Sequence, residues 1–194
     1  MQEYRPKWHK AFSGKNECIQ VFARLSSIPG NVQMRCGDSC GDSCGDIWRS
    51  YMNPKTIRLL YPDHVSAGLE TYYFGANLLR YILPANPNQP IVKVEILPPD
   101  GKEKAVTNGI YAEDEVLAGI QDAQKKLAAE EPDRIITIGG NCMVSLVPFD
   151  YLHGKYANTG IVWVDAHPDV STLNDGYPNA HAMVLGSLMG HGAA

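Results

Sequence analysis

The chain alternates between two hydrophobic periods from residue 57 onward. Short apolar, β-branched runs typical of buried strands occupy residues 57–61, 90–97, 134–140 and 161–164. Helical spacing of apolar positions occupies residues 67–83, 111–131 and 143–156. Because strands and helices alternate and the strands are apolar on both faces, the pattern predicts an α/β fold with a parallel sheet and helices on its faces.

Residues 1–53 do not join this pattern. They have no clear period, and residues 36–46 read CGDSCGDSCGD, a tandem repeat whose glycines and serines disfavour regular structure. We therefore predict an irregular, partly disordered N-terminal extension over 1–53 and an α/β domain over 54–194.

The overall composition and net charge exclude some classes of binding partner. The 194 residues are 44% hydrophobic, enough for one domain with its own core, and the net charge of -4 gives no basic surface for nucleic acid. The sequence contains no export signal and no apolar run that spans a bilayer, so we expect a cytoplasmic protein without membrane contact. Five cysteines then indicate reduced thiols or metal ligands rather than a disulfide framework.

Two aspartates and a histidine follow the run at 161–164. Asp165, His167 and Asp169 are spaced two apart, so in extended backbone their side chains project to one side. Parallel sheets keep their ligand sites beyond the carboxyl ends of the strands. Carboxylates and an imidazole suit Mn²⁺, Fe²⁺ or Zn²⁺, and the alternative is an ordinary ion pair at a strand end.

Further polar residues are predicted at the same edge. Asn141 and Cys142 follow the strand and glycine pair of TIGGNC, and His181 follows a loop and precedes a predicted helix. A buried space-filling thiol and a structural histidine are the ordinary alternatives. Asn141 and Cys142 are expected at the same carboxyl edge as Asp165, whereas the case for His181 depends on the other residues that lie near it.

Three motifs in this order, GGNCMVS, DAHPD and NAHAM, resemble the arginase, agmatinase and formiminoglutamase family, the ureohydrolases. The D-A-H-x-D match is complete and the other two are partial. The resemblance covers residues 57–192 and implies a three-layer α/β/α fold. It also implies two Mn²⁺ ions, with Asp165 bridging them, His167 and Asp169 each binding one, and Cys142 at the position of a histidine ligand.

The resemblance further implies the chemistry. The substrate is a small guanidino or formimino compound, and the reaction hydrolyses its C–N bond. Asp169 orients the attacking hydroxide and His181 delivers a proton to the leaving amine. Ser171 and Asn179 lie where the family contacts substrate.

Departures from the family pattern lower the expected activity. Cys142 replaces a histidine, Asn141 an acid and Ala182 a glycine, and a thiolate suits Zn²⁺ or Fe²⁺ better than Mn²⁺. The family's later S-x-D-x-D stretch, which supplies two more ligands, does not occur before Ala194. We therefore expect a truncated, divergent member with one ion or none and with weak or no activity.

Two other functions stay open. Cys36, Cys40 and Cys44, with Cys18 nearby, offer a Cys-rich metal or redox module in the extension. Alternatively, the α/β domain is a non-catalytic scaffold that binds a partner or assembles as a homo-oligomer through an open sheet edge, since family members form trimers or hexamers.

Overall fold

The computed structural model describes residues 53–156 and 158–191. The predicted extension up to residue 52, with its repeated cysteines, therefore lies outside the described residues. The strands are β1 (Thr56–Tyr61), β2 (Ile91–Lys93), β3 (Val106–Thr107), β4 (Ile110–Tyr111) and β5 (Arg134–Gly139). The helices are α1 (Thr71–Ile82), α2 (Glu113–Glu130), α3 (Leu146–Lys155) and α4 (Val184–Leu188).

The main sheet is parallel, with strand order β2-β1-β5. Leu59 at its centre pairs with Val92 on one side and Thr137 on the other. The separate pair β3 and β4 is an antiparallel hairpin. The predicted α/β class and the parallel sheet are confirmed.

Helices cover both faces of the central strand. On one face, Leu59 and Tyr61 join a core cluster with Ala123 and Leu127 of α2. On the other face, Leu60 meets Ala76 of α1. Alternating side chains of β1 thus contact different helical layers, as the period of a strand requires.

Helix α2 approaches the sheet closely at a glycine. A methyl group at Gly119 would lie 2.9 Å from both the Tyr61 hydroxyl and the end of Ile96, so these side-chain ends would have to move to admit it. The helix matches the prediction for residues 111–131 closely. Its acidic first turn, Glu113 to Glu115, interacts favourably with the helix dipole.

Helix α1 is largely uncovered. Ala76 is its one buried residue, whereas Phe74, Tyr81 and Ile82 are more than half exposed. Among the residues that the structure describes, no helix combines the length and apolar character needed to cross a bilayer.

The strand predicted at 161–164 is wrong. The structure assigns no strand to these residues, and Ile161, Val162 and Val164 are at least 40% exposed. Their β-branched side chains favour extended backbone locally, but a strand also needs a hydrogen-bonded neighbour and covered faces. Trp163 alone is well anchored, its ring 6.1 Å from that of Phe149.

Candidate metal centre

The centre begins where two neighbouring strands end. Tyr61 of β1 pairs with Gly139 of β5, so the loops that follow them leave the sheet side by side. The backbone at Gly140 passes so close to Asp63 that a methyl group there would overlap the Asp63 carbonyl oxygen. Glycine at 140 therefore allows the β5 loop to lie directly on the β1 loop.

This close approach fixes Cys142 at the start of a short 3-10 helix, Cys142–Ser145. The Asn141 side chain caps that helix, because its Oδ1 accepts a hydrogen bond of 2.9 Å from the Met143 N–H. Cys142 is 4% exposed, and its Sγ donates to Oδ2 of Asp165 over 3.2 Å.

A bend at residues 165–167 brings the second acid of DAHPD back toward Cys142. The His167 N–H donates to Oδ1 of Asp165 over 3.0 Å, and Asp169 has a φ of +46°, in the left-handed region. The N–H groups of Leu185 and Gly186 donate to the Asp169 carbonyl over 2.9 and 3.1 Å. Helix α4 therefore helps to hold Asp169 in its unusual conformation.

The result is a compact group of three donors. One donor atom each from Cys142, Asp165 and Asp169 lies within 4.8 Å of the others, the single such group of three in the described part of the chain. Asp169 is 4% exposed, and its Oδ2 is buried with no hydrogen-bond partner among the described residues. Burial raises the pKa of Asp169, and the nearby Asp165 charge adds to this, partly offset by the Cys142 hydrogen bond.

A buried, unsatisfied carboxylate oxygen beside a thiol and a second carboxylate fits a cation. An isolated buried anion is costly, and a bound cation offsets that cost. One sulfur and two carboxylates suit Zn²⁺ or Fe²⁺ better than Mn²⁺. Three protein ligands also leave a coordination position open, as in catalytic rather than structural zinc sites.

His167 lies outside this group. Its side chain is 70% exposed, and its Nδ1 is 3.9 Å from Oδ1 of Asp165. The expectation that all three side chains of the motif lie together is wrong for His167: Asp165 and Asp169 meet, but they do so because the backbone bends and Asp169 is left-handed instead of extended.

The remaining candidates lie on the neighbouring loop. The Nδ1 of His181 is 3.1 Å from the carbonyl oxygen of Ser66, and Asn179 donates through Nδ2 to the Ala67 carbonyl over 3.1 Å. Ser171 is half-buried and donates its N–H to the Ala182 carbonyl over 3.0 Å. His181 and Asn179 thus share contacts with residues 66–67, whereas Ser171 shows only this backbone hydrogen bond within the part of the chain that the structure describes.

Sequence reasoning missed two buried polar residues, Asp63 and Ser66, which are 3% and 0% exposed. Both follow β1, so the rule that parallel strands carry sites at their carboxyl ends points to them as it does to Cys142. The sequence YPDHVSAG, directly after a buried strand, contained that signal.

The fold is that of an α/β protein, and a group of three candidate metal ligands lies at the carboxyl edge of its sheet. The model of the arginase family matches residues 83–193, which is more than half of the chain. The chain therefore belongs to the arginase family. No protein of curated function matches the sequence.

Among solved structures, the chain is similar to the arginase of Entamoeba histolytica, whose crystal structure was determined in complex with L-ornithine at 2.35 Å. The two share 19% sequence identity with a TM-score of 0.50, over 72% of this chain and 50% of the arginase chain. The similarity confirms a partial arginase-like fold, and the chain spans half the length of that enzyme.

Proposed function

We propose that this chain binds one divalent metal ion through Cys142, Asp165 and Asp169, and that it hydrolyses a guanidino or formimino C–N bond slowly. The buried Oδ2 of Asp169, without a hydrogen-bond partner among the described residues, is the observation that carries the metal site. Family membership supports the substrate class.

The donor group favours one ion over two. Three ligand atoms within 4.8 Å of one another can surround a single cation, whereas two-metal sites hold ions about 3.5 to 4 Å apart and need ligands on both sides. His167 is exposed and supplies no second set of donors in this conformation. We infer weak activity for this reason.

A divalent ion held at this position would lower the pKa of water so that hydroxide is available near neutral pH. Residues of the chain would orient the attacking water and transfer the proton to the leaving group. Asp169 would bind the ion through one carboxylate oxygen, and its other oxygen can accept a hydrogen bond from the attacking water and orient it toward the electron-poor carbon.

His181 is proposed to carry the proton to the leaving amine. If its Nδ1 donates to the Ser66 carbonyl 3.1 Å away, the neutral ring has its lone pair on Nε2. Nε2 is then the atom that takes up a proton and returns it to nitrogen as the C–N bond breaks. Asn179 and Ser171 remain candidates for substrate contact.

The test uses a full chain in which Cys18, Cys36, Cys40 and Cys44 are replaced by serine, so that Cys142 is the one thiol left of five. We call this the Cys142-only chain. Equilibrium dialysis with Zn²⁺, Fe²⁺ and Mn²⁺ should give one ion per chain and weakest binding of Mn²⁺. Loss of all metal in the Cys142-only chain, but not in the wild type, would instead support the Cys-rich module in the extension.

The loaded chain is then assayed for urea release from arginine and agmatine and for formamide release from formiminoglutamate. Slow release that disappears in Asp165→Asn is the expected result. Fast turnover would contradict weak activity, and bound metal without turnover of any substrate would favour the scaffold alternative.

A further inference from the structure

A buried polar group lies next to the metal donors and is not part of them. Asp63, Ser66 and Asn141 are each at most 3% exposed, on the loops after β1 and β5. Burying a carboxylate is costly unless hydrogen bonds or a cation compensate it. The hydrogen bonds of Asp63 therefore show which residues this group holds in position.

Neutral donors surround the Asp63 carboxylate. Oδ1 accepts from the N–H groups of Val65 and Ser66 over 3.1 and 3.4 Å. Oδ2 accepts from the Ser66 hydroxyl and, over 3.2 Å, from Nδ2 of Asn141. Asp63 forms no ion pair within the described ranges. Its carboxylate is therefore stabilised by hydrogen bonds from these neutral groups.

Asn141 uses both ends of its amide. Nδ2 donates to the carbonyl oxygen of Asp63 over 3.0 Å as well as to its carboxylate. Oδ1 accepts from the Met143 N–H, which fixes the orientation of the amide. Cys142 lies between these two anchors, so its backbone is held from both sides.

We propose that Asp63 and Asn141 form a matched pair that positions the Cys142 thiol for metal binding, which makes Asn141 a positioning residue of the centre. The pair explains why position 141 carries an amide. A carboxylate there would still accept from Met143, but it would face the Asp63 carboxylate and carbonyl with no proton to donate. This inference rests on the proposed metal site and assigns it a further determinant.

Charge transfer from sulfur to Co²⁺ tests the pair. The Cys142-only chain is titrated with Co²⁺, and the near-ultraviolet thiolate band reports specifically on the Cys142–metal bond. We expect Asn141→Asp to weaken Co²⁺ binding at least about tenfold, which is within the usual range for losing a residue that supports a metal ligand. Asn88→Asp, which adds the same charge at an exposed asparagine, should bind like the parent chain.

The double variant Asp63→Asn/Asn141→Asp exchanges the two groups and separates a matched pair from a general loss of stability. The exchange restores a hydrogen-bond donor opposite the acid, so we expect the double variant to bind Co²⁺ at least about threefold more tightly than Asn141→Asp does. This recovers part of the affinity that is usually lost when a metal ligand loses its supporting hydrogen-bond partner. Wild-type binding in Asn141→Asp, or equally weak binding in the double variant, would overturn the proposal. If Asn141→Asp fails to fold, Ser66→Ala replaces it, with the same weakening expected and unchanged binding as the contrary result.

A metal-free measurement keeps the inference separate from the proposed function. Iodoacetamide alkylates Cys142 slowly while the thiol is buried, and the rate in the Cys142-only chain is followed by mass spectrometry. Asn141→Asp should raise that rate and the double variant should lower it again. If the parent chain binds no Co²⁺, the metal site is wrong, and the alkylation rates alone decide whether the pair positions Cys142: equal rates in all three chains would contradict it.

Discussion

The thiol of Cys142 donates to the carboxylate of Asp165 over 3.2 Å, across 23 positions of the chain. Cys142 reaches this position from the end of β5, and Asp165 from the bend that follows an irregular segment. Asp169 completes the group from a left-handed backbone conformation. A donor group that depends on the geometry of two separate segments, the loop after β5 and the segment that holds both aspartates, is sensitive to small changes in either.

Replacing Asp169 by asparagine should stabilise the metal-free chain. The substitution removes the negative charge from a buried oxygen that lacks a partner in the described residues. Because burying that charge is unfavourable, its removal should raise the free energy of unfolding by about 1 kcal/mol. Urea unfolding at pH 7 with a chelator present measures the change. The same variant should lose metal binding, and a destabilised variant would contradict the account.

The stabilisation by Asp169→Asn should depend on pH. Burial raises the pKa of Asp169 in the folded chain, so folding favours the protonated form. The folded state loses stability as pH rises through that raised pKa, and the loss is absent below the unfolded value of about 3.9. The gain from Asp169→Asn is therefore larger at pH 7 than at pH 4, and equal gains at both pH values would argue against a buried ionised Asp169.

Replacing Gly140 by alanine should separate the two strand-end loops. The added methyl overlaps the Asp63 carbonyl, and such overpacking costs about 2 kcal/mol in the free energy of unfolding. Gly154→Ala is the matched control, because it is exposed in α3 with nothing within 4 Å of the new methyl. Thermal unfolding of both variants checks the difference, and equal stability would mean that the loops tolerate separation.

His167 and Asp165 should differ sharply as metal ligands. His167→Ala should leave Zn²⁺ affinity within about threefold of wild type, because the side chain is 70% exposed and outside the donor group. This change is smaller than the loss caused by removing a residue that supports a metal ligand through a hydrogen bond. Asp165→Asn removes a donor and should cost more than the roughly 100-fold upper limit for an outer partner. Calorimetric titration of both variants distinguishes the cases; equal losses would favour the ligand role that the family resemblance implies for His167.

The sequence predicted the sheet best where local preference and tertiary pairing agree. Residues 134–139 combine a buried apolar run with a partner in β1, and the strand forms as expected. Residues 161–164 have the same local preference, but they form no strand because no described neighbour pairs with them. Hydrophobic pattern alone does not distinguish these two situations.

The sequence indicated which loops carry the candidate donor residues, but not how those loops bend. The rule of strand carboxyl ends points to Cys142 after β5 and to Asp63 after β1, whereas Asp165 was predicted from a strand at 161–164 that the structure does not contain. The left-handed conformation of Asp169 could not be predicted, because aspartate adopts it in a minority of cases and its carbonyl is held here by N–H groups from a distant helix. This backbone angle and the bend at residues 165–167 together place Asp169, and not His167, beside Asp165.

X-ray absorption at the zinc edge of the Cys142-only chain, loaded with one equivalent of Zn²⁺, tests the central claim most directly. The account predicts one sulfur neighbour at about 2.3 Å together with oxygen neighbours, and loss of the sulfur in Cys142→Ser. A shell of oxygen and nitrogen alone, unchanged by Cys142→Ser, would contradict a metal centre built on Cys142, Asp165 and Asp169.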